Sequence, residues 1–314
     1  MTADLVLGWQ AAGRLALPLP GSGDTAQRWR RLAELAEIDV VAGRLAEAHT
    51  DAVAILAELG GRADDGFWGV WAAEAPNAVV RARSAGDVTV LDGTKAWCSG
   101  AGLCTHALVT ALLTDGSRGL FAVDLRHDSV RPGESRWRNA GMAGSDTRTV
   151  VFADVPAIPV GRPGDYLSRP GFWFGAIGVA ACWLGGARAV AEPLYRRAAA
   201  GSADAHHLAH LGAVDAALTA ADSALTVAAE RVDHDPENHS GAAELTARRV
   251  RAIVESAVDE VLARTDRALG PGPLCTDDRH ARAVADLTVY IRQSHAERDL
   301  AALGALTAGR RADG

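Results

Sequence analysis

The stretch "LDGTKAWCSGAG" at residues 91–102 decides how the rest of the chain is interpreted. A turn-forming Asp-Gly pair precedes a short run typical of a β-strand, and a tryptophan then leads directly into small residues and two glycines. Trp97 therefore stands beside the hydroxyl of Ser99 and a nearly bare backbone. An ordinary strand does not require this arrangement.

Composition limits the classes of protein to consider. The chain has 314 residues, 48% of them hydrophobic, which is ample for a substantial core. A formal net charge of -7 argues against nonspecific binding to nucleic acid or to an anionic membrane. Four cysteines without a CxxC pair, together with the lack of a signal-peptide pattern, predict reduced thiols in a cytoplasmic protein. No window of eighteen uncharged apolar residues predicts a membrane span.

The residue pattern divides the chain into three zones. Residues 1–63 form a short helical region with about two amphipathic helices, the second ending at Gly60-Gly61. Residues 64–165 contain short alternating runs and turn signals, which predict a small antiparallel β domain, with "TRTVVFADVPAIPV" as a strand pair. Residues 166–314 are rich in alanine and predict a four-helix-type bundle with one continuous last helix. The predicted fold class is α+β.

Three stretches resemble motifs of the acyl-CoA dehydrogenase family. "GTKAWCS" is similar to the family pattern G-x-K-x-W-x-[ST]. "RNAGMAGSDTRTVVFADVPAI" resembles a family signature, with Ala143 in place of its usual arginine, and "RALGPGPLCTDDRHARAVADL" resembles the glycine-rich loop that follows. The three motifs occur in the family's order and across the same helix–strand–helix division.

The resemblance implies FAD as cofactor and assigns the residues that bind it. Trp97 would pack over the flavin ring, and the Ser99 hydroxyl would bond to the polar edge of that ring. Gly270 and Gly272 would approach the nucleotide of a neighbouring subunit, and Arg197 would help hold the flavin across the dimer. On the residues alone, Trp97 is equally a core aromatic side chain and the glycines are equally helix caps.

Several departures from the family pattern concern the chemistry. The chain has no Gly-Ser-Asp segment before Trp97, which in the family contacts the flavin pyrophosphate. Alignment on Asp286 places Ser294, next to His295, where most of the family has its catalytic glutamate. We take Ser294 and His295 as the candidate catalytic positions because an imidazole is able to act as a general base near neutral pH. The alternative for His295 is a solvated helix-surface histidine.

Three functions remain open at this point. The first is a FAD-dependent oxidoreductase acting on an acyl thioester of CoA or of a carrier protein. The second is a catalytically degenerate paralogue that serves as the non-catalytic subunit of a hetero-oligomer or as a scaffold. The third is a flavin-dependent monooxygenase of the same fold, which lacks the dehydrogenase glutamate. Because the family completes its flavin site with a second subunit, the resemblance also implies a homodimer or homotetramer.

Overall fold

The structure, a computed structural model, describes residues 2–312, and its elements follow the predicted order of helices, strands and helices. The first helices are α1 (Thr2–Ala11), α2 (Thr25–Ile38) and α3 (Val40–Glu58). The strands are β1 (Trp68–Trp71), β2 (Val80–Ala85), β3 (Val88–Cys98), β4 (His106–Leu112), β5 (Arg118–Asp124), β6 (Val130–Pro132) and β7 (Arg148–Val160). The last helices are α4 (Asp165–Ser168), α5 (Pro170–Ala199), α6 (Ala205–His234), α7 (Ala243–Leu269), α8 (Pro271–Thr276), α9 (Asp278–Tyr290) and α10 (Glu297–Ala312).

The chain divides into two compact units. The first unit contains the residues up to Ala16, Leu45–Asn139 and Ala143–Phe172, and it holds the whole sheet. The second unit contains Leu17–Arg44, Ala140–Met142 and the residues from Trp173 onward, and it is helical. Each unit has its own buried apolar core.

The seven strands of the first unit form a sheet that closes on itself. The hydrogen-bonded order is β1-β4-β2-β3-β7-β5, β6 pairs with β7, and β5 pairs back onto β4. Most pairs are antiparallel, as the sequence predicts, but β1 and β2 each run parallel to β4. Closure removes most of the free strand edges and encloses a core that includes Leu91, Val109, Phe121 and Phe152.

Strand β7 differs from what the sequence predicts. The stretch predicted as a strand pair is the single strand β7, thirteen residues long. Asp154 takes φ 54° where one extra residue of β7 stands against β3 between Val155 and Phe152. The apparent turn at "ADVP" is therefore a β-bulge, which bends the strand without ending it. The far end of β7 then pairs with β5 through Ile158 and Val160.

The helices also differ from the sequence expectation in number. Three helices precede the strands instead of about two. The predicted last helix is interrupted after Tyr290 by a short 3-10 turn and by Ala296 at φ 45°, before α10 begins. Ser294 Oγ accepts a hydrogen bond from the backbone N–H of Ala296 at 3.1 Å and so holds the turn before α10.

Two helices of the bundle are long and apolar enough to cross a membrane by length and composition, namely α5 and α6. In α5, 72% of the apolar window is buried, as in the core helix of a water-soluble protein. In α6 the share is 28%, and its exposed face carries Asp215 and Asp222. We interpret both as helices of the bundle, because buried residues of α6 repeat at helical spacing along one side.

Gly185 on α5 marks a close approach to α2, and we predict that it tolerates no side chain. A Cβ added there would overlap the carbonyl oxygen of Ala33, whereas nothing lies within 4 Å of the equivalent position at Gly212 on α6. We expect Gly185→Ala to lower the free energy of unfolding by about 1–3 kcal/mol. The control Gly212→Ala should raise it by about 0.5–1 kcal/mol. Denaturant titration measures both, and equal effects would contradict the packing argument.

His49 gives the first unit a predicted sensitivity to acid. Its buried Nδ1 accepts a hydrogen bond from the backbone N–H of Trp68 at 3.1 Å, and its ring stacks on Phe67. Burial lowers the pKa of His49 from 6.5 to about 4. Between these values the unfolded chain binds the additional proton, so stability should fall by roughly 3 kcal/mol as pH drops through this window.

The test compares His49→Gln with wild type by denaturant titration at several pH values from neutral to mildly acidic. We expect the variant to show a shallower loss of stability with falling pH, since it carries no group that titrates there. His206→Gln, at an exposed position of α6, is the control and should keep the wild-type slope. Parallel pH profiles for wild type and His49→Gln would contradict the assignment.

Candidate active site

A β-bulge near the end of β3 creates the candidate site in the first unit. Lys95 pairs with Val150 and Cys98 pairs with Arg148, so β3 carries one residue more than β7 between these pairs. The extra residue lies at Ala96–Trp97, and Trp97 takes φ 62°. A bulge of this kind redirects a side chain away from its regular position on the strand.

Trp97 combines backbone strain with unusual exposure. The left-handed region is uncommon for any residue other than glycine and is strained for a bulky one, at about 1–3 kcal/mol. The residue is 61% exposed, and within residues 2–312 its indole makes no hydrogen bond or ring stacking. A strained and exposed tryptophan is poorly explained by folding alone. We therefore interpret it as a ligand-facing side chain.

Three hydroxyl groups form a chain directly after Trp97. Ser99 Oγ lies 2.9 Å from Thr147 Oγ1, which lies 2.8 Å from Ser145 Oγ. Each hydroxyl donates one hydrogen bond and accepts others, so the Ser99 end of the chain is able to serve either as donor or as acceptor. The sequence identified Ser99, but it did not identify the other two hydroxyls, which the pairing of β3 with β7 brings beside it.

The backbone around these hydroxyls is fixed by buried contacts. The indole N–H of Trp71 donates to the Ser99 carbonyl oxygen at 3.0 Å, and the Gly100 N–H donates to the Ser145 carbonyl at 2.7 Å. Asp146 accepts from the Gly102 N–H at 2.8 Å and pairs with Arg148 at 2.6 Å. The two loops that carry the hydroxyl chain are thus joined at several points.

Lys95 anchors the strand immediately before the bulge. Its side chain is 1% exposed, and its Nζ donates to Thr110 Oγ1 at 2.7 Å, to the Thr110 carbonyl at 3.0 Å and to Glu74 Oε1 at 3.2 Å. Burial lowers the pKa of Lys95, although the Glu74 carboxylate acts in the opposite direction. For Glu74, partial burial acts to raise the pKa, but the charge of Lys95 and the hydrogen bond from Thr110 outweigh it and lower the pKa.

Cys98, next to Trp97, is not suited to nucleophilic chemistry. Its thiol is fully buried, and this burial raises its pKa to about 12. A thiolate is the reactive form of cysteine, and it is absent at neutral pH with such a pKa. The bulge therefore offers an aromatic face and hydroxyl groups, which are features of a binding surface for a flat polar molecule.

The predicted catalytic positions lie in the second unit, at the turn between α9 and α10. Ser294 Oγ donates to Glu255 Oε2 at 2.6 Å, so its hydroxyl proton is already engaged. The His295 side chain is 59% exposed, and its Nδ1 lies 3.6 Å from Asp299 Oδ2. Glu255 is a largely buried carboxylate that sequence reasoning missed, because it lies on α7, 39 residues before Ser294.

The other predicted cofactor residues also lie in the second unit. Arg197 Nε donates to the Ser202 carbonyl at 3.4 Å near the end of α5. Gly270 caps α7 at φ 65°, and Gly272 lies within α8, both with open space where a Cβ would stand. The neighbouring Arg196 lies 3.7 Å from Asp277, so the end of α5 is beside the start of α9. Arg197 and the two glycines thus belong to one end of the bundle.

Comparison with known proteins relates this architecture to solved structures. Neither a protein-family model nor a curated protein matches the chain. TdsC from Paenibacillus sp. A11-2, in complex with FMN and indole, is 19% identical, with a TM-score of 0.78 over 89% of this chain and 82% of that chain. Nitrososynthase from Micromonospora carbonacea var. africana is 18% identical, with a TM-score of 0.78 over 96% and 88%.

A third solved structure gives the same result. The 3-HSA hydroxylase from Rhodococcus sp. RHA1 is 16% identical, with a TM-score of 0.76 over 98% of this chain and 92% of that chain. At such low identity the likeness concerns the fold alone. The chain has the acyl-CoA dehydrogenase fold, with N-terminal helices, a central sheet and C-terminal helices, which confirms the fold class expected from the sequence.

Two tryptophans of this site should respond differently to removal. Trp71→Ala deletes a buried indole and its hydrogen bond to Ser99, and we expect a loss of about 3–5 kcal/mol in the free energy of unfolding. Trp97→Gly deletes a mostly exposed indole and also relieves the left-handed strain, so we expect a change within about 1 kcal/mol. Denaturant titration compares the two variants. Equal losses would show that Trp97 supports the fold instead of facing a ligand.

Proposed function

We propose that the protein is a flavin-dependent monooxygenase that binds reduced FMN and oxidises a small organic substrate with dioxygen. The observation that carries the proposal is the exposed, strained indole of Trp97 beside the hydroxyl chain that begins at Ser99. Residues with a strained backbone conformation are found most often at active sites and ligand sites.

The residues present fit a flavin. An isoalloxazine ring is flat and has one polar edge, and the Trp97 indole offers a flat apolar face without a partner of its own among the described residues. Ser99 Oγ, backed by Thr147 and Ser145, offers a hydroxyl for the polar edge. Lys95 and Trp71 hold the strand on either side of the bulge, so binding requires little reordering.

Two points favour a monooxygenase over an acyl-thioester dehydrogenase. Ser294, at the position of the usual dehydrogenase glutamate, carries a hydroxyl that donates to Glu255, so the Glu255 carboxylate is occupied by this hydrogen bond. The solved structures with this fold include a nitrososynthase, a hydroxylase and the dibenzothiophene monooxygenase TdsC, which is bound to FMN in one of its structures. These names apply to those proteins, and they support FMN over the FAD expected from the sequence.

The roles in flavin binding and in catalysis are assigned to residues of this chain. A reduced flavin, when bound, supplies two electrons, so that with two protons one oxygen atom of dioxygen enters the substrate and the other leaves as water. Trp97 and Ser99 would bind and orient the ring. His295, whose Nδ1 lies 3.6 Å from Asp299 Oδ2, stays a predicted catalytic position. A homodimeric or homotetrameric cytoplasmic protein stays a prediction.

The first test is flavin binding. We expect the protein to quench FMN fluorescence with a dissociation constant in the micromolar range or below and to prefer FMN to FAD. Trp97→Ala should weaken binding at least tenfold because the ring loses its apolar face, and Ser99→Ala should weaken it by a smaller factor. Trp137→Ala, another tryptophan of the same unit, is the control. Failure to bind any flavin would favour the scaffold hypothesis instead.

The second part of the test distinguishes the reactions. Protein with reduced FMN is exposed to ¹⁸O-labelled dioxygen together with indole or dibenzothiophene, and label in the product is measured by mass spectrometry. We expect incorporation, with His295→Ala reducing turnover and Ser294→Ala retaining most of it. Octanoyl-CoA added anaerobically to oxidised protein should leave the flavin colour unchanged. Bleaching by the thioester would contradict the monooxygenase proposal and favour a dehydrogenase.

A further inference from the structure

A cavity of about 840 Å³ opens at the turn that joins α6 to α7 in the second unit. Its volume lies within the range of about 300–1,000 Å³ that is usual for small-molecule sites. It contains none of the residues assigned above to flavin or proton transfer. An inference about this cavity is therefore independent of the proposed function.

The turn beside the cavity is held in one conformation by two side chains. Asp235 accepts hydrogen bonds from the backbone N–H groups of His239 at 2.8 Å and Ser240 at 2.9 Å. Asn238, at φ 54°, accepts from the Ala243 N–H at 2.9 Å where α7 begins. The wall formed by residues 235–242 is thus preformed, and a ligand would not have to order it.

The inner part of the cavity is apolar. Phe174 and Ile177 on α5, Val232 on α6 and Leu245 on α7 all line it and are themselves buried. A pocket with apolar walls from three helices and a few polar groups at its mouth is typical of a small-molecule site.

The mouth of the cavity carries two arginines without partners. Arg231 and Arg249 are exposed, and neither guanidinium group forms an ion pair or hydrogen bond within residues 2–312. The contrast with Arg248 is informative, because that residue pairs with Glu244 at 2.8 Å and lies over the Trp173 ring. Of the two adjacent arginines on α7, Arg248 thus makes contacts within the fold, whereas Arg249 lines the cavity.

The lining holds two carboxylates, Glu230 and Asp235, whose formal charge equals that of the two arginines. Neither carboxylate pairs with Arg231 or Arg249 among the described residues, and Asp235 accepts instead from the backbone N–H groups of its own turn. A guanidinium group binds carboxylate, sulfonate or phosphate through charge-assisted and often bidentate hydrogen bonds. We propose that the cavity is a second ligand site that binds an organic anion with an apolar body, its acidic group at Arg231 and Arg249.

The probe for this proposal is 8-anilinonaphthalene-1-sulfonate, which joins an aromatic body to a sulfonate and fluoresces when it binds. Titration is performed with and without saturating FMN, so that binding at a flavin site is separated from binding at the cavity. We expect Arg249→Ala and Arg231→Ala each to weaken the FMN-independent binding about tenfold. Ala242→Trp, which places a ring at the cavity wall, should abolish it.

Matched controls make the result decisive. Arg267→Ala removes another exposed arginine of α7 that does not line the cavity and should leave binding unchanged. Decanoate should compete with the probe, whereas decylamine should not. The proposal is overturned if both arginine variants bind as wild type does or if decylamine competes equally well. It is also overturned if Ala242→Trp changes only the oligomeric mass in light scattering, which would mean that a second copy covers the cavity.

Discussion

The left-handed conformation of Trp97 is the constraint on which the candidate site depends. A bulky residue adopts φ 62° only when the surrounding contacts determine its backbone more strongly than its own preference does. Those contacts are present on both sides of the bulge. Lys95 precedes it with three hydrogen bonds from its buried ammonium group, and the Trp71 indole holds the Ser99 carbonyl after it. These contacts fix the backbone on both sides of the bulge, so that the left-handed conformation of Trp97 is retained.

The buried side chain of Lys95 fixes the position of β3, although burying it does not add to the stability of the fold. Removing an ammonium group from water is costly, and pairing with Glu74 and Thr110 recovers that cost only in part. An apolar side chain at Lys95 would satisfy the core equally well. It would not, however, connect β3 to Thr110 on β4 and to Glu74 at one specific register. We interpret the network as a device that fixes where the bulge occurs, so that the extra residue is Trp97.

The sequence predicted the features that depend on local pattern. Alternation and turn residues predicted the strands, alanine-rich periodicity predicted the bundle, and the Trp97–Ser99 motif predicted the aromatic face and the hydroxyl beside it. The features that it missed depend on tertiary pairing. Ser145 and Thr147 join Ser99 only because β7 pairs with β3 in this register. The break after Tyr290 was missed because the segment contains neither glycine nor proline, and Ala296 takes the left-handed conformation instead.

The chemistry that this fold supports depends on which side chain handles the proton. A carboxylate accepts a proton from a substrate carbon, but the Ser294 hydroxyl is already the donor in a hydrogen bond to Glu255. Its neighbour His295 has an exposed ring and a carboxylate at 3.6 Å. Oxygen transfer requires a proton for the oxygen atom that leaves as water, whereas thioester dehydrogenation requires a base for carbon. A hydroxyl thus occupies the position of the usual carboxylate, and the carboxylate beside it, Glu255, accepts the hydrogen bond of that hydroxyl.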